Sequence, residues 1–366
     1  MKLKHLKLKR IDRYIIKQFL GTFVFSMTGI ILIVVVFDVN EKIDKFMAPE
    51  VTLKEIILDY YVNFIPYFLS MFASLFTFIA VIFFTSKLAD RSEIIAMLST
   101  GMSFDRLMAP YGISAGIIAL TMFILSAWII PPANGKRLEF EYSYIKKNKK
   151  VEYAHNVQLE VEPGIFAYFD RYSNSSQMGY SFSLERFEGK TLVSRLTANS
   201  IKYDSLYHWT IIDFIVRDFD GMYEQHITTG TRRDTTLKFV PADFLISEND
   251  CEKMTTPALK TYIERQKKRG IGNIQTFEIE YHKRFANAFS FFILTAIGVS
   301  LSSSRKKGGM GLNIGIGLGL SFSYILFMTV TSSFAVGGMV SPMIASWIPN
   351  IIYTFIAIYL YRKAPR

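Results

Sequence analysis

The stretch DRSEIIAMLSTGMSFDRLMAP, residues 90–110, places five charged residues beside two runs that have none. Residues 60–86 before it and 107–135 after it lack Asp, Glu, Lys, Arg and His. Each run exceeds the roughly 20 residues that cross a bilayer. Between them the spacing predicts a short capped helix over about 90–100. Asp90 stands at its N-cap, Glu93 completes an Asp-x-x-Glu capping box, and Gly101 is the C′ stop. Ile94, Met97 and Leu98 form an apolar stripe at i, i+3, i+4 spacing. Spacing alone leaves two uses for it. The helix lies on the bilayer surface, or it docks by its stripe into a groove on a cytoplasmic partner.

Outward from this loop, residues 19–37 and 285–304 are also free of charge, and residues 308–361 are long enough for two spans. The break falls at Gly337-Gly338-Met339-Val340-Ser341-Pro342. That makes six spans. With the N-terminus in the cytoplasm, the cytoplasmic pieces hold 16 Lys/Arg against 4 Asp/Glu, and the other side 26 against 27. All of the net charge of +11 then lies on one side, as the positive-inside rule requires. The basic opening MKLKHLKLKR is met by anionic lipid, since a span follows at once, and a nucleic-acid partner is not expected. The first span has no small-x-small cleavage site and is expected to be retained. Cys251 is the sole cysteine, which excludes an intrachain disulfide.

The expected domains are residues 1–135 with spans 1–3, an insert at 136–272, and residues 273–366 with spans 4–6. The insert reads as short antiparallel strands forming a sandwich or open barrel. In YSFSLERF, simple alternation sends Tyr180, Phe182 and Leu184 to one face. RLTANSIKYD, HWTIIDFIVRDF and TTLKFV are further strands. A helix follows, with Thr256 as N-cap, Pro257 at N1 and Gly270 as its stop.

No catalytic site emerges. Glu188-Gly189-Lys190-Thr191 mimics the tail of a phosphate loop, but the earlier Gly that such a loop needs is Leu184, so a hairpin turn is expected. The five histidines show no metal-ligand spacing. The spans carry no ionisable residue for ion coupling. Pro66 and Pro349 are expected kinks, and Asn63, Asn313 and Asn350 are expected to bond between helices. Transport by such a chain takes its energy from a partner.

Arg91-Ser92-Glu93 with Gly101-Met102 resembles the cytoplasmic loop of the LptF/LptG lipopolysaccharide-export permeases. So do the opening Ile11-Asp12-Arg13-Tyr14, the pattern of Ala198, Asp204 and Trp209 in RLTANSIKYDSLYHW, and the tail GLNIGIGLGLSFSYILF…GGMVSPMIASWIPNIIY. The likeness spans the whole chain, and FDVNEKIDKF is closer to the LptG side. It implies an α+β membrane protein of six transmembrane helices (3+3) with an inserted periplasmic β-jellyroll-like domain. It also implies an inner-membrane location, cytoplasmic termini, and a heterodimer of LptF-type and LptG-type permeases on an LptB-type ATPase dimer. ATP and Mg would bind that ATPase, with no cofactor on this chain. Lipopolysaccharide would enter between helices 1 and 5 of the two subunits and leave along the β-domain toward an LptC-type protein.

For individual residues the resemblance implies ATPase coupling by Arg91, Ser92, Glu93, Met97 and Leu98. Lys42, Lys45, Lys136, Arg137, Lys283 and Arg284 become candidates for a basic ring on the lipid headgroup, although Asp38 stands where the family often has lysine. Phe166, Tyr168, Tyr180, Phe182, Leu184, Ile212 and Phe214 become candidates for the acyl-chain path. Baring chains to water costs about 0.8 kcal/mol per CH₂, which is why such a path needs an apolar lining. Two rival readings remain: a mechanotransmission subunit that moves no lipid through its spans, and a membrane-anchored sensor or scaffold that would tolerate Glu93→Ala.

Overall fold

The computed structural model describes residues 9–145, 153–221, 223–245, 248–268, 274–303 and 309–364. Six of its helices are long and apolar enough to span a membrane: α1 (Arg10–Phe46), α2 (Leu53–Asp90), α4 (Phe104–Ile145), α6 (Gln275–Ser302), α7 (Gly309–Val336) and α8 (Pro342–Lys363). The short α3 (Glu93–Ser99) joins α2 to α4, and α5 (Thr256–Lys268) precedes α6. Six strands lie between α4 and α5: β1 (Tyr153–Glu162), β2 (Ile165–Ser173), β3 (Met178–Glu188), β4 (Thr191–Ser205), β5 (His208–Asp220) and β6 (Tyr223–Thr236). The chain is thus an α+β membrane protein with an inserted β domain.

It divides into two compact units. The first comprises Met1–Ile145, Glu252–Pro257 and Glu278–Arg366, and the second Lys146–Cys251 and Ala258–Phe277. The third span passes the boundary expected at residue 135 and stays helical to Ile145. Pro131 and Pro132 do not end it. A π-helical turn at Leu125–Ile129 lies just ahead of them, where the missing backbone donors would otherwise strain the helix.

In the first unit α2 is central, packing against α1, α4 and α7. Gly298 and Gly317 make the close approaches. A Cβ at Gly298 would collide with Val81 and Phe78, and one at Gly317 with Ile82. Small residues at such crossings let backbones approach within lipid, where the hydrophobic effect gives helices no reason to associate. Asn313 donates to Ser86 Oγ (3.2 Å), and Asn350 donates to the Ala286 carbonyl (2.7 Å), as expected of bonds between helices. Asn63 differs. Its amide donates within its own helix to the carbonyls of Leu58 and Asp59, at the π-helical turn Ile56–Tyr61.

In the second unit the six strands form one antiparallel sheet in sequence order, β1 to β6. Glu188–Thr191 is the hairpin turn between β3 and β4, with Gly189 at φ 66°. A crease crosses the sheet. Asn156, Ser181 and Asp213 on β1, β3 and β5 take left-handed backbone, at φ 50°, 55° and 51°. Paired register skips each of them. The register is the same on either side of each, so no residue is added, and the left-handed residue itself reverses the alternation beyond it. Gly179 and Phe182 therefore share the buried face, as do Ile211 and Phe214. Trp209 plugs that core and donates to the Phe239 carbonyl (3.1 Å). On α5, Leu259, Ile263 and Gln266 are buried on one face. This helix begins at Thr256, one residue before the predicted start, and its predicted stop at Gly270 lies outside the described residues.

Candidate functional site

The turn into α3 departs from the predicted capping box. Asp90 is the last residue of α2, and Glu93 is the first of α3. Ser92 between them is left-handed (φ 58°) and makes no side-chain cap. The two helices are joined too tightly for a separate N-cap at Asp90: the amides of Arg91 and Ser92 bond back to the carbonyls of Lys87 and Ala89. The C-terminal stop is as predicted. Gly101 at φ 89° donates to the Leu98 carbonyl and Met102 to that of Met97, a Schellman motif.

The stripe predicted to dock into a partner is taken up by the chain itself. Ile94 is fully buried in the bundle core, and Met97 and Leu98 pack half-buried against it. The opposite face of α3 remains open: Arg91, Ser92, Ile95, Ala96 and Ser99 are exposed, Ile95 at 54%. Glu93 lies between the two faces, with Arg91 Nη1 3.9 Å from one carboxylate oxygen and the Tyr14 hydroxyl 3.5 Å from the other.

Neighbouring helices hold this corner. Buried Asp12 accepts from Arg106 Nη2 (2.5 Å) and from the Lys9 amide (2.7 Å), tying the start of α1 to the start of α4. Asp105 accepts from the Tyr361 hydroxyl, and the Phe104 and Tyr361 rings lie 5.5 Å apart, tying α4 to the end of α8. Displacement of α3 would therefore be felt by three spans. Sequence reading missed these ties because their partners lie 94 and 256 residues apart.

At the opposite ends of the helices the predicted basic ring divides. Lys42 pairs with Asp38 (2.5 Å), bonds the Tyr60 hydroxyl and faces the Tyr60 ring. Tyr61 also donates to Asp38 (3.1 Å). Arg137 is buried on Glu141 (3.1 Å), on Asn134 (2.9 Å) and over the Tyr67 ring. Arg284 is buried on Glu280 (2.9 Å), the Met254 carbonyl and Thr256. Each of these three cations is paired with a carboxylate of its own helix. Lys45 and Lys136 are exposed, and Lys283 is half-buried.

Glu252 joins this network by accepting from Asn134 Nδ2 (3.1 Å). Burial pushes its carboxyl above the usual range and the charge of Glu280 adds to that, while Asn134, Lys283 and Arg137 act against it. A carboxyl raised by folding makes the folded chain hold a proton that the unfolded chain has lost. Its contribution therefore favours folding at low pH and is lost as pH rises through the folded pKa. The melting temperature in detergent is expected to fall with rising pH just above the ordinary carboxylate range. Glu252→Gln should flatten that slope, and an unchanged slope would remove Glu252 as its cause.

The seven acyl-path candidates do not share a face. Phe182 and Phe214 are buried in the core of the second unit, and Leu184 packs against it. Tyr180 lies across the crease from Phe182 and stacks on Arg171 (5.2 Å) on the other face. Phe166, Tyr168 and Ile212 are half-buried there too, next to the core residues Ala167, Phe169 and Ile211. Ala198 lies between Phe182 and Phe214 in register, and Asp204 accepts from Thr210 (2.6 Å). Among the described residues no cluster of His, Cys, Asp and Glu could hold a metal ion.

Comparison with individual curated proteins gave no match. The family described as lipopolysaccharide export system permease LptF/LptG matches residues 13–363, which take in all six spans, α3 and the β domain. The chain therefore belongs to the LptF/LptG permease family, a transport component of the inner membrane.

Proposed function

We propose that this chain is one half of an ATP-driven extractor of lipopolysaccharide, set with both termini and α3 in the cytoplasm and its β domain in the periplasm. An LptB-type ATPase dimer would engage α3, and an LptF-type or LptG-type permease would complete the pair. Lipid would then pass to an LptC-type protein. The observation that carries the reading is α3 itself, anchored by Ile94 while it presents Ile95 to solvent. A surface helix resting on lipid would turn its stripe to the bilayer, whereas here the stripe is already covered by protein. The docking face is accordingly Arg91, Ser92, Ile95, Ala96 and Ser99, with Glu93 at its edge. Met97 and Leu98 contribute by packing the helix against the bundle core.

Ile95→Glu tests this. It should leave folding intact, because Ile95 touches solvent, and weaken co-purification of the ATPase by about 10–100-fold, as loss of an apolar anchor does. Undiminished ATPase recruitment would sink the docking face. The lipid route is tested separately by a photo-crosslinker at Phe25, which is 81% exposed on α1. ATP-dependent capture of lipopolysaccharide supports extraction. Absence of capture from an assembled complex favours mechanotransmission.

A further inference from the structure

At the end of the bundle that carries α3, the first turns of α1 have two different faces. Asp12, Ile15 and Phe19 are buried. Arg10, Arg13, Tyr14 and Lys17 are exposed. Their spacing of i, i+3, i+4 and i+7 puts them on one stripe, with Arg13 and Lys17 about 5–6 Å apart at Cβ. The side chains of Arg10, Arg13 and Lys17 make no ion pair or hydrogen bond among the described residues. The carboxylates of this corner are engaged elsewhere: Asp12 with Arg106, Glu93 with Arg91 and Tyr14, and Asp105 with Tyr361. Asp90 is exposed and, among the described residues, bonds none of the three cations.

Depth decides what meets this stripe. Residues 19–37 carry no charge, and at 1.5 Å per residue they fill about 28 Å, close to the thickness of a hydrocarbon core. The Lys17 backbone therefore lies about 3 Å outside that core and that of Arg13 about 9 Å outside. The headgroup layer between them is about 5–8 Å deep. Helical side chains tilt toward the N-terminus, which here carries the Lys17 ammonium outward to the level of lipid phosphates. A soluble partner meets the bundle beyond that layer, so lipid is the occupant that reaches Lys17. Tyr14 adds an aromatic ring of the kind that settles at headgroup level.

We propose that Arg13 and Lys17 grip the phosphate of an anionic glycerophospholipid in the leaflet on the side of α3, with Arg10 as an outer contact. The arginine fork takes two phosphate oxygens, and the lysine is a point charge on the membrane side. The lipid fixes the depth of α1, and with it the corner that Asp12 ties to α4 and Tyr14 ties to α3. The site depends neither on the export reading nor on which side of the membrane α3 faces.

The test uses the full-length protein in phosphatidylcholine nanodiscs that hold a small fraction of phosphatidylglycerol with a diazirine near the top of one acyl chain. Labelling is expected within residues 11–24, above that given by a phosphatidylcholine carrying the same diazirine. Arg13→Gln combined with Lys17→Gln should lower it toward the phosphatidylcholine level, by up to about 30-fold, the loss of two basic contacts at an anionic surface. Both side chains are exposed, so an unchanged melting temperature is expected. Arg13→Lys combined with Lys17→Arg should keep the labelling, and so should Lys54→Gln at the opposite end of α2. Equal labelling by the two lipids, an equal drop in Lys54→Gln, or undiminished labelling in the folded double variant overturns the proposal. Inorganic phosphate that competes as well as unlabelled phosphatidylglycerol overturns the lipid as occupant. Loss of ATPase co-purification from the double variant with labelling unchanged assigns the stripe to a protein partner instead.

Discussion

Arg137→Ala is expected to destabilise the membrane unit by about 3–5 kcal/mol, the cost of leaving one partner of a buried ion pair alone. The Arg137 and Glu141 side chains are only 10% and 7% exposed, and their contact is 3.1 Å. The same guanidinium bonds Asn134, which itself donates to Glu252. Removing Arg137 therefore takes the guanidinium from buried Glu141 and loosens the segment Glu252–Pro257. Arg137→Lys should lie between the two, since an ammonium keeps the charge but cannot reproduce the fork of Nε and Nη1. Arg137→Met combined with Glu141→Leu should recover most of the loss, because the uncompensated charge is then gone. Thermal unfolding in detergent reads all four proteins. If Arg137→Ala melted like wild type yet weakened lipopolysaccharide binding, Arg137 would be a ligand arm after all.

That prediction gives Arg137 a structural role beside the headgroup role that the resemblance implies, and the reason is physical. Proximity of a cation to the end of a span is visible in the chain, but its counter-ion is not. Glu280 lies four residues before Arg284 and Glu141 four after Arg137, so helical pairing competes with lipid from the start. Asp38 with Lys42 is a third such pair, placed where the family often has lysine. The spans, by contrast, were legible from charge-free length alone, and the break at Gly337–Pro342 from its backbone chemistry. YSFSLERF, RLTANSIKYD and HWTIIDFIVRDF fall on β3, β4 and β5 as read, whereas TTLKFV meets only the last two residues of β6, and β1 and β2 were not read.

Side-chain direction on the strands was not legible, because alternation presumes extended backbone throughout. Ser181 carries no mark of a left-handed conformation, and Asn156 and Asp213 only a weak one, since Asn and Asp tolerate it. The seven acyl-path candidates were divided between faces for that reason alone. At α3 the stripe was read correctly as apolar, but amphipathicity does not say whether the apolar face meets a partner or the chain's own core.

Trp209→Ala should cost about 3–5 kcal/mol in the β domain, the usual range for deleting a buried aromatic. The side chain is 1% exposed and lies among the rings of Tyr172, Tyr203 and Phe239. No neighbour can fill the space easily, because Tyr172 is already bonded to Gln177 (3.1 Å) and Phe239 is fixed by its own backbone bond to Leu237. The truncation also leaves the Phe239 carbonyl without the indole donor. Trp209→Phe separates the two effects. It keeps most of the ring volume and removes only the hydrogen bond, so about 1–2 kcal/mol is expected from an unsatisfied acceptor and a small void. Urea-dependent proteolysis of the full-length protein, read at cleavage sites within the β domain, measures this difference. Equal losses for Phe and Ala would mean that the hydrogen bond to Phe239, rather than packing, holds this end of the sheet. A loss below about 1 kcal/mol for Ala would mean that the core around Trp209 collapses freely. Phe182 and Phe214 would then be poor candidates for a preformed apolar path, since a path that must stay open between lipids cannot be lined by walls that close on a void.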